Sequence, residues 1–156
     1  MCKVKKGLLV ILIVGSLFIA VAPAALAGPA EEAAQMAEQW FKYFVEGNAE
    51  ALSSLYAKDA SYWGFLSPFR VEGREALRAT MAGFFRAYPT RTYVKRYFYV
   101  QVYDTTVVRT YYFTIMAVDS KGNAKSWHGR ANIVYVVVDG QRQIVTHHTS
   151  LLPSPQ

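Results

Sequence analysis

The sequence predicts an α+β domain in which three helices precede an antiparallel sheet. Up to Pro89, apolar residues recur at helical spacing; after Pro89 their period changes to two, which is typical of strands. The later strands are joined by the short linkers "DT", "DSKGNAKS" and "DG", and short linkers join neighbouring strands as antiparallel pairs. Helices first and a meander afterwards is the order of an α+β fold.

Three segments before Pro89 carry the helical pattern. "EEAAQMAEQWFKYFVEGN" places Trp40 and Phe44 on an apolar stripe opposite a charged one, and its Gly-Asn pair ends the helix. Asn48 is expected to cap a short second helix. "GREALRATMAGFFRAYP" predicts a third helix, which Pro89 ends. Between the second and third helices, "ASYWGF" predicts a short strand.

Four long strands follow, and the third of them is apolar on both faces. The strands are "RTYVKRYFYVQVY", "TVVRTYYFTIMAV", "WHGRANIVYVVV" and "QRQIVTHHTSLL". Ile133 and Tyr135 point one way, whereas Val134 and Val136 point the other. In a sheet that exposes one face to water, apolar and polar residues should alternate along each strand instead. One face is therefore expected to pack on the helices. The other is covered either by a strongly curved sheet folding over itself or, the preferred explanation, by a partner subunit.

The amino terminus has the pattern of a secretory signal peptide. "MCKVKK" carries three lysines, the following "GLLVILIVGSLFIAVA" is apolar throughout, and Ala25-Leu26-Ala27 precedes Gly28. We expect cleavage after Ala27, removal of residues 1–27, and export of a bacterial protein to the periplasm or the medium. An uncleaved anchor is the alternative, although this apolar run is shorter than the roughly 20 residues that span a bilayer.

Loss of these residues changes the composition that bears on function. Cys2 would leave with them, so the mature chain would have no disulfide and no thiol chemistry. Three lysines would leave as well, so that 14 basic residues face 11 acidic ones and the net charge falls from +6 to +3. This charge is too small and too dispersed to predict nucleic-acid binding. The rest suits one domain, 28–151, and a flexible tail, 152–156.

The last hairpin resembles that of a known family. "VVVDGQRQIVTHHTSLLP" resembles the closing hairpin of the SnoaL-like proteins of the nuclear transport factor 2-like superfamily. That hairpin reads Asp-Gly, a residue, Trp, and then a hydrophobic strand ending in His-x-Ser. Asp139, Gly140, His148 and Ser150 match it, while Arg142 stands in place of the Trp. "FRVEGREALR" resembles the loop before the family's third helix. The same ending is also similar to the association domain of calcium/calmodulin-dependent protein kinase II.

The resemblance implies a cone-shaped domain. A curved antiparallel sheet of about four long strands plus a short one would wrap around the three amino-terminal helices. The resemblance also implies a pocket between the sheet and the helices, and dimerisation across the outer face of the sheet. Members of the superfamily include isomerases, dehydratases, cyclases, oligomerisation domains and simple binders, so membership does not decide the function.

Two adjacent histidines are the first candidate site residues. Successive residues of a strand point to opposite faces, so only one of His147 and His148 can line a given pocket. The family's His-x-Ser ending falls on His148 and Ser150, which assigns His148 to the pocket and His147 to the outside. A satisfied core histidine, a ligand contact and a catalytic acid or base all stay open for His148.

Two aromatic and two cationic positions complete the candidate set. Tyr62 and Trp63 fall where relatives line the mouth of the pocket, although an aromatic doublet also suits a core. Arg109 shares a strand face with Tyr111, and a buried arginine would need an anion or other acceptors. Arg109 therefore either anchors a ligand carboxylate or lies in solvent or at an interface.

The same alternatives hold for Arg130, whose direction depends on the register of the last hairpin. With a two-residue "DG" loop and regular pairing, Arg130 lies opposite Thr149 and on the His147 face. A one-residue bulge would move it to the His148 face.

The distribution of acids bears on catalysis. The four long strands contain no Asp or Glu, whereas relatives that move a proton next to a carbonyl use a carboxylate base inside the cone. No metal-ligand spacing, phosphate loop or cofactor signature is visible, so we expect neither a metal nor a cofactor. The sequence does not decide whether the protein is an enzyme, and this pattern favours a binder.

The predicted function is therefore binding of a small, partly apolar ligand, anionic where an arginine anchors it. The pocket would belong to a homodimer or higher homo-oligomer that contacts neither nucleic acid nor, after cleavage, the membrane. One alternative is a cofactor-free lyase or isomerase that uses His148 and tyrosines as acid and base. Its reaction would be that of a small-molecule isomerase, dehydratase or cyclase. The other is a purely structural association module.

Overall fold

Helices occupy the first part of the described chain, as predicted. The computed structural model describes residues 28–153, so the predicted signal peptide at 1–27 and the last three residues of the predicted tail lie outside it. The helices are α1 (Pro29–Glu46), α2 (Ala49–Ser54) and α3 (Arg74–Ala87). The side-chain oxygen of Asn48 caps α2 by accepting a 2.9 Å hydrogen bond from the Ala51 amide. No helix within 28–153 is long and apolar enough to cross a membrane.

The strands of the described chain form one six-stranded sheet, in the order β2-β1-β6-β5-β4-β3. The long strands, β3 to β6, pair antiparallel as predicted, and so do β1 and β2. The short strand β1 instead runs parallel to β6, which brings it beside the two histidines. The bounds are β1 (Tyr56–Trp63), β2 (Val71–Glu72), β3 (Thr90–Tyr103), β4 (Thr106–Val118), β5 (Ala124–Val138) and β6 (Gln141–Leu151).

The aromatic stripe of α1 packs against the inner face of the curved sheet. Trp40 stacks on Phe44 with ring centroids 5.1 Å apart, and both rings meet Tyr93 of β3 edge-on, at 5.7 and 5.3 Å. Burial of such rings is the main favourable term in folding, at roughly 25 cal/mol per Å² of apolar surface. The predicted α+β cone, with helices inside the sheet, is confirmed.

A buried arginine joins the ends of two helices to the sheet. Arg91, near the start of β3, donates from Nε to the Phe44 carbonyl at 2.6 Å and from Nη2 to the Val45 carbonyl at 3.1 Å. Its Nη1 donates to the Tyr88 carbonyl at 2.7 Å and the Pro89 carbonyl at 3.2 Å. The side chain thereby donates to carbonyls at the last turn of α1 and just beyond α3, where helical hydrogen bonding ends; among them, the Phe44 carbonyl also accepts from the Gly47 amide at 3.3 Å.

Two irregularities interrupt the pairing of the long strands. In β6, Ile144 pairs with Tyr135 but Thr146 pairs with Val134, so Val145 is an extra residue, a β-bulge. A second shift lies in β3, between Arg96 and Tyr99. Each bulge changes which side chains point inward after it, and both therefore affect the candidate sites.

Candidate functional site

The bulge at Val145 reverses the predicted directions of the two histidines. His147 is fully buried on the inner face, whereas His148 is exposed on the outer face. The prediction that His148 faces the interior pocket is therefore wrong. Its physical cause is the extra residue after Ile144, which shifts the alternation of β6 by one position.

His147 ends a chain of buried hydrogen bonds. The indole Nε1 of Trp40 donates to the Tyr56 hydroxyl at 2.8 Å, and that hydroxyl lies 2.7 Å from Nδ1 of His147. Because the indole can only donate, the Tyr56 hydrogen is free to bond Nδ1, which leaves the histidine proton on Nε2. Nε2 is buried without a hydrogen-bond partner. Burial, followed by the charge of His148, lowers the pKa of His147 to about 3, so the ring is neutral near pH 7.

An open cleft of about 370 Å³ lies between α3 and the loop that follows β1. Its lining residues are mainly aromatic and aliphatic, four of them carry a hydroxyl, and none is charged. The lining comprises Phe44, Tyr62, Gly64, Phe65, Leu66, Ser67, Pro68, Thr80, Met81, Gly83, Phe84, Ala87, Tyr88 and Ile115. This is the pocket that the cone fold predicts between helices and sheet.

Tyr62 and Trp63 lie on opposite faces of the sheet, and only Tyr62 lines the cleft. Tyr62 is buried, lines the cleft and lies 5.4 Å from the His147 ring, centroid to centroid. Trp63 points to the outer face and is 47% exposed, so its predicted place at the pocket mouth is wrong because strand alternation turns it away. Burial raises the pKa of Tyr62 to about 12, so its phenol is protonated near pH 7.

The loop over the cleft is held by one hydroxyl of β6. The Thr149 hydroxyl accepts a hydrogen bond from the Phe65 amide at 3.0 Å and donates to the Trp63 carbonyl at 3.1 Å. Gly64 fits here because a Cβ on it would lie 2.6 Å from a ring carbon of Tyr62. The cleft wall is therefore ordered by contacts that only the folded chain provides.

Arg109 and Tyr111 share one face of β4, and that face points inward, but neither residue lines the cleft. Arg109 is 6% exposed, and its Nη1 donates to the Ala33 carbonyl of α1 at 3.1 Å. Its Nε has no partner, and its guanidinium lies 5.5 Å from the Phe98 ring. Burial raises the pKa of Tyr111 above its ordinary value. A role for Arg109 as ligand anchor in the cleft is not supported, because its acceptor is backbone.

The remaining candidates, Arg130, His148 and Ser150, gather on the outer face. Arg130 pairs with Ser150 across the hairpin, and its Nε lies 3.1 Å from the Ser150 hydroxyl, to which it donates. The register with a bulge, one of the two left open by the sequence, is the one observed. These side chains line a hollow of about 490 Å³ with Asn132 and several tyrosines. Across residues 28–153, no group of three or more His, Cys, Asp or Glu side chains could hold a metal ion.

Comparison with known families agrees with this geometry. The family model for the SnoaL-like domain, which describes the sequences of that family, matches residues 33–155 of this chain. The chain belongs to this family. The predicted resemblance, including that to the nuclear transport factor 2-like superfamily, is therefore confirmed. A search of curated proteins found no significant match to this SnoaL-like domain.

Several solved structures share the fold of this SnoaL-like domain. A candidate calcium/calmodulin-dependent protein kinase II association domain from Xanthomonas campestris has a TM-score of 0.71 at 25% identity, covering 83% of this chain and 94% of its own. A candidate dehydratase of the nuclear transport factor 2-like family from Streptomyces avermitilis has a TM-score of 0.71 at 18% identity, covering 80% and 97%. A nuclear transport factor 2-like protein with a cystatin-like fold from Novosphingobium aromaticivorans has a TM-score of 0.69 at 21% identity, covering 80% and 82%.

Sequence reasoning missed His147 and most of the cleft in this SnoaL-like domain. Met81 and Phe84 belong to the apolar side of α3, and an apolar stripe does not show which residues border a cavity. His147 was assigned outward because nothing local marks the bulge. The one signal in the sequence was that the last hairpin allows two registers, with and without a bulge, which left both directions open for Arg130.

Proposed function

We propose that this SnoaL-like protein binds a small, flat, uncharged apolar molecule in the cleft between α3 and the loop after β1. The observation that carries the proposal is the lining of that cleft, which is aromatic and aliphatic and contains no charged side chain. Its volume of about 370 Å³ lies within the range of roughly 300–1,000 Å³ for small-molecule sites. A few hydroxyls in an apolar wall are the usual means of orienting such a ligand.

Because the lining of the cleft is uncharged, we propose a neutral ligand in place of the expected ligand whose carboxylate an arginine would hold. Arg109 donates to the backbone carbonyl of Ala33 in α1, and Arg130 lies on the other side of the sheet. An anion in this cleft would lose its hydration without gaining a cation. Tyr62, protonated near pH 7, offers one hydroxyl, and Ser67 and Thr80 offer two more.

The binding proposal is preferred to the enzyme alternative on the position of the acid–base groups. His148, the residue expected to act with tyrosines, is on the outer face. His147 is inside, but it does not line the cleft, and its low pKa leaves it a weak base. No carboxylate borders the cleft. A candidate dehydratase among the structural neighbours shares the fold at 18% identity, which supports no reaction here.

Filling the cleft from α3 is expected to abolish binding without harming the fold. Gly83 lines the cleft, and a Cβ added to it would meet no heavy atom closer than 4.0 Å, from Arg86. Gly83→Leu should therefore place its side chain in the cavity and also gain about 0.5–1 kcal/mol of helix propensity. Titration with N-phenyl-1-naphthylamine, a neutral fluorescent aromatic probe, should show an affinity at least about tenfold weaker than that of wild type.

Ala79→Leu is the matched control, because Ala79 is exposed on the same helix and does not line the cleft. This variant should bind the probe as wild type does. Gly83→Leu should unfold at or above the wild-type temperature, and Ala79→Leu should unfold close to it. Absence of probe binding in wild type, or unchanged affinity in Gly83→Leu, would contradict the proposal.

We further propose that the protein is exported and acts as a homodimer through the outer face of the sheet. Export is supported by residues 1–27, and the dimer by large hydrophobic side chains exposed on that face. These include Trp63 at 47%, Tyr99 at 62%, Tyr112 at 45% and Met116 at 48%. Val134 and Val136 point outward among them, half-buried, as expected. A structural association module would use the same surface, and it differs from the binder only in having no ligand.

Native mass spectrometry of the protein from its own host tests both points at once. Each subunit is expected to begin at Gly28, and each particle to hold two subunits. Val134→Glu should give monomers, because an unpaired charge at an interface costs several kcal/mol in order of magnitude. Ala79→Glu, with the same new charge on α3, should stay dimeric. A wild-type monomer at micromolar concentration, or a subunit that retains residues 1–27, would refute the corresponding point.

A further inference from the structure

The outer face of the sheet carries a hollow that the cleft proposal does not use. Across the sheet, strand pairing places His148, Asn132, Thr110 and Tyr99 in one row. The two middle side chains are short and the two outer ones are long, so the row dips in its centre. The hollow has a volume of about 490 Å³.

The walls of the hollow combine one strong cation with aromatic rings. The next row of the sheet contributes Ser150, Arg130 and Tyr112. The Ser150 hydroxyl holds Nε of Arg130 at 3.1 Å, which fixes the guanidinium while leaving its terminal N–H groups for a ligand. None of the ion pairs within 28–153 involves Arg130, and strands β3 to β6 contain no Asp or Glu. The positive charge is therefore not neutralised by a neighbour on its own face.

A strained residue forms one side of the hollow. Tyr97 has φ of 54°, which a bulky side chain rarely adopts, and it lies in the bulge of β3. The other two non-glycine residues with positive φ in the described chain, Asp104 and Asp139, lie in tight turns. The bulge leaves Tyr97 81% exposed, with its ring perpendicular to that of Tyr112 and 6.2 Å from it. Strain of this kind costs roughly 1–3 kcal/mol and concentrates at functional sites.

We propose that this hollow binds an aromatic carboxylate. The guanidinium of Arg130 can hold a carboxylate through two parallel hydrogen bonds, and His148 and Asn132 supply further polar contacts beside it. The rings of Tyr97, Tyr99 and Tyr112 offer the apolar surface on which an aromatic ring of the ligand packs. The neutral cleft and this cationic hollow lie on opposite faces of the sheet, and they select opposite ligand charges.

All of these residues come from one chain, so the site does not depend on the proposed dimer.

The test uses 2-naphthoate and its uncharged analogue 2-naphthalenemethanol, titrated into the purified protein by calorimetry at low ionic strength. With the neutral cleft filled by Gly83→Leu, so that the alcohol cannot bind there, the protein is expected to bind the carboxylate at least about tenfold more tightly than the alcohol. Arg130→Gln should weaken naphthoate binding by about tenfold or more, and His148→Gln by a smaller factor. Arg86→Gln, which removes the same charge from the exposed end of α3, should leave the affinity within about twofold of wild type.

The cleft-filling variant separates this inference from the cleft proposal. Gly83→Leu should lose N-phenyl-1-naphthylamine binding yet keep naphthoate binding, because the two sites do not share lining residues. Naphthoate affinity that survives Arg130→Gln, or that disappears in Gly83→Leu, would overturn the inference, as would no naphthoate binding by wild type. Failure of the neutral probe alone would count only against the cleft proposal.

Discussion

Replacement of Arg91 by methionine is expected to destabilise the protein by about 3–5 kcal/mol, a large part of the roughly 5–15 kcal/mol that holds a domain folded. The side chain is 6% exposed, and it donates to four backbone carbonyls at the ends of α1 and α3. Its guanidinium also lies 4.3 Å from the centroid of the Phe85 ring. Methionine fills similar space but removes all four donated hydrogen bonds, and loss of a donor to a carbonyl that stays out of water costs about 1–3 kcal/mol.

Chemical denaturation measures this effect directly. Arg96→Met is the matched control, because Arg96 lies on the same strand but is exposed on the outer face. Its free energy of unfolding should stay within about 0.5 kcal/mol of wild type. Equal stability of the two variants would show that the carbonyls find other partners, and that Arg91 does not join the helices to the sheet as described.

The second large effect expected is acid sensitivity caused by His147. Burial, followed by the charge of His148, lowers the pKa of His147 to about 3, while an unfolded chain has the ordinary value near 6.5. Between these values the unfolded state binds the proton and the folded state does not. The contribution of His147 to the free energy of unfolding is therefore fully present above about pH 6.5. Below that pH the free energy of unfolding falls by about 1.4 kcal/mol per pH unit. The full loss would reach roughly 4–5 kcal/mol near pH 3.

Denaturation at several values between pH 6.5 and 4.5 isolates this group, because most carboxylates titrate below that range. His147→Gln should remove most of the slope, whatever its absolute stability. His148→Gln should retain the slope, since desolvation of His147 is the larger cause of its lowered pKa. A wild-type stability that is flat over this range would show that the ring is solvated, or that it finds an acceptor for its second proton.

Much of the fold could be predicted because its signals are local. The stripe containing Trp40 and Phe44, the cap at Asn48 and the stop at Pro89 each act within a few residues, and the helices begin and end near these positions. The period of two after Pro89 likewise predicts β3 to β6. Arg109 and Tyr111 share one face of their strand because β4 carries no bulge, but the sequence left open whether that face points inward.

The candidate sites were harder to predict, because each depends on contacts between distant segments. The cleft requires the loop after β1 to be held by Thr149 of β6, more than 80 residues later in the chain. Tyr62 was identified through the family resemblance alone, whereas an apolar stripe at helical spacing does not distinguish Phe84 and Met81 from ordinary core residues. The hollow requires short side chains on two strands to align, and only the register determines that alignment.

Local patterns in the sequence specify the class of fold, the family and the segments that become helices and strands. The face that each histidine takes depends instead on how the strands pair. One extra residue, Val145, reverses the alternation of β6, and that bulge depends on pairing with β5 and β1 rather than on any local preference. It turns His147 toward Tyr56 in the core and leaves His148 beside Arg130 on the outer face. A period of two specifies alternation along a strand, but not where that alternation is interrupted.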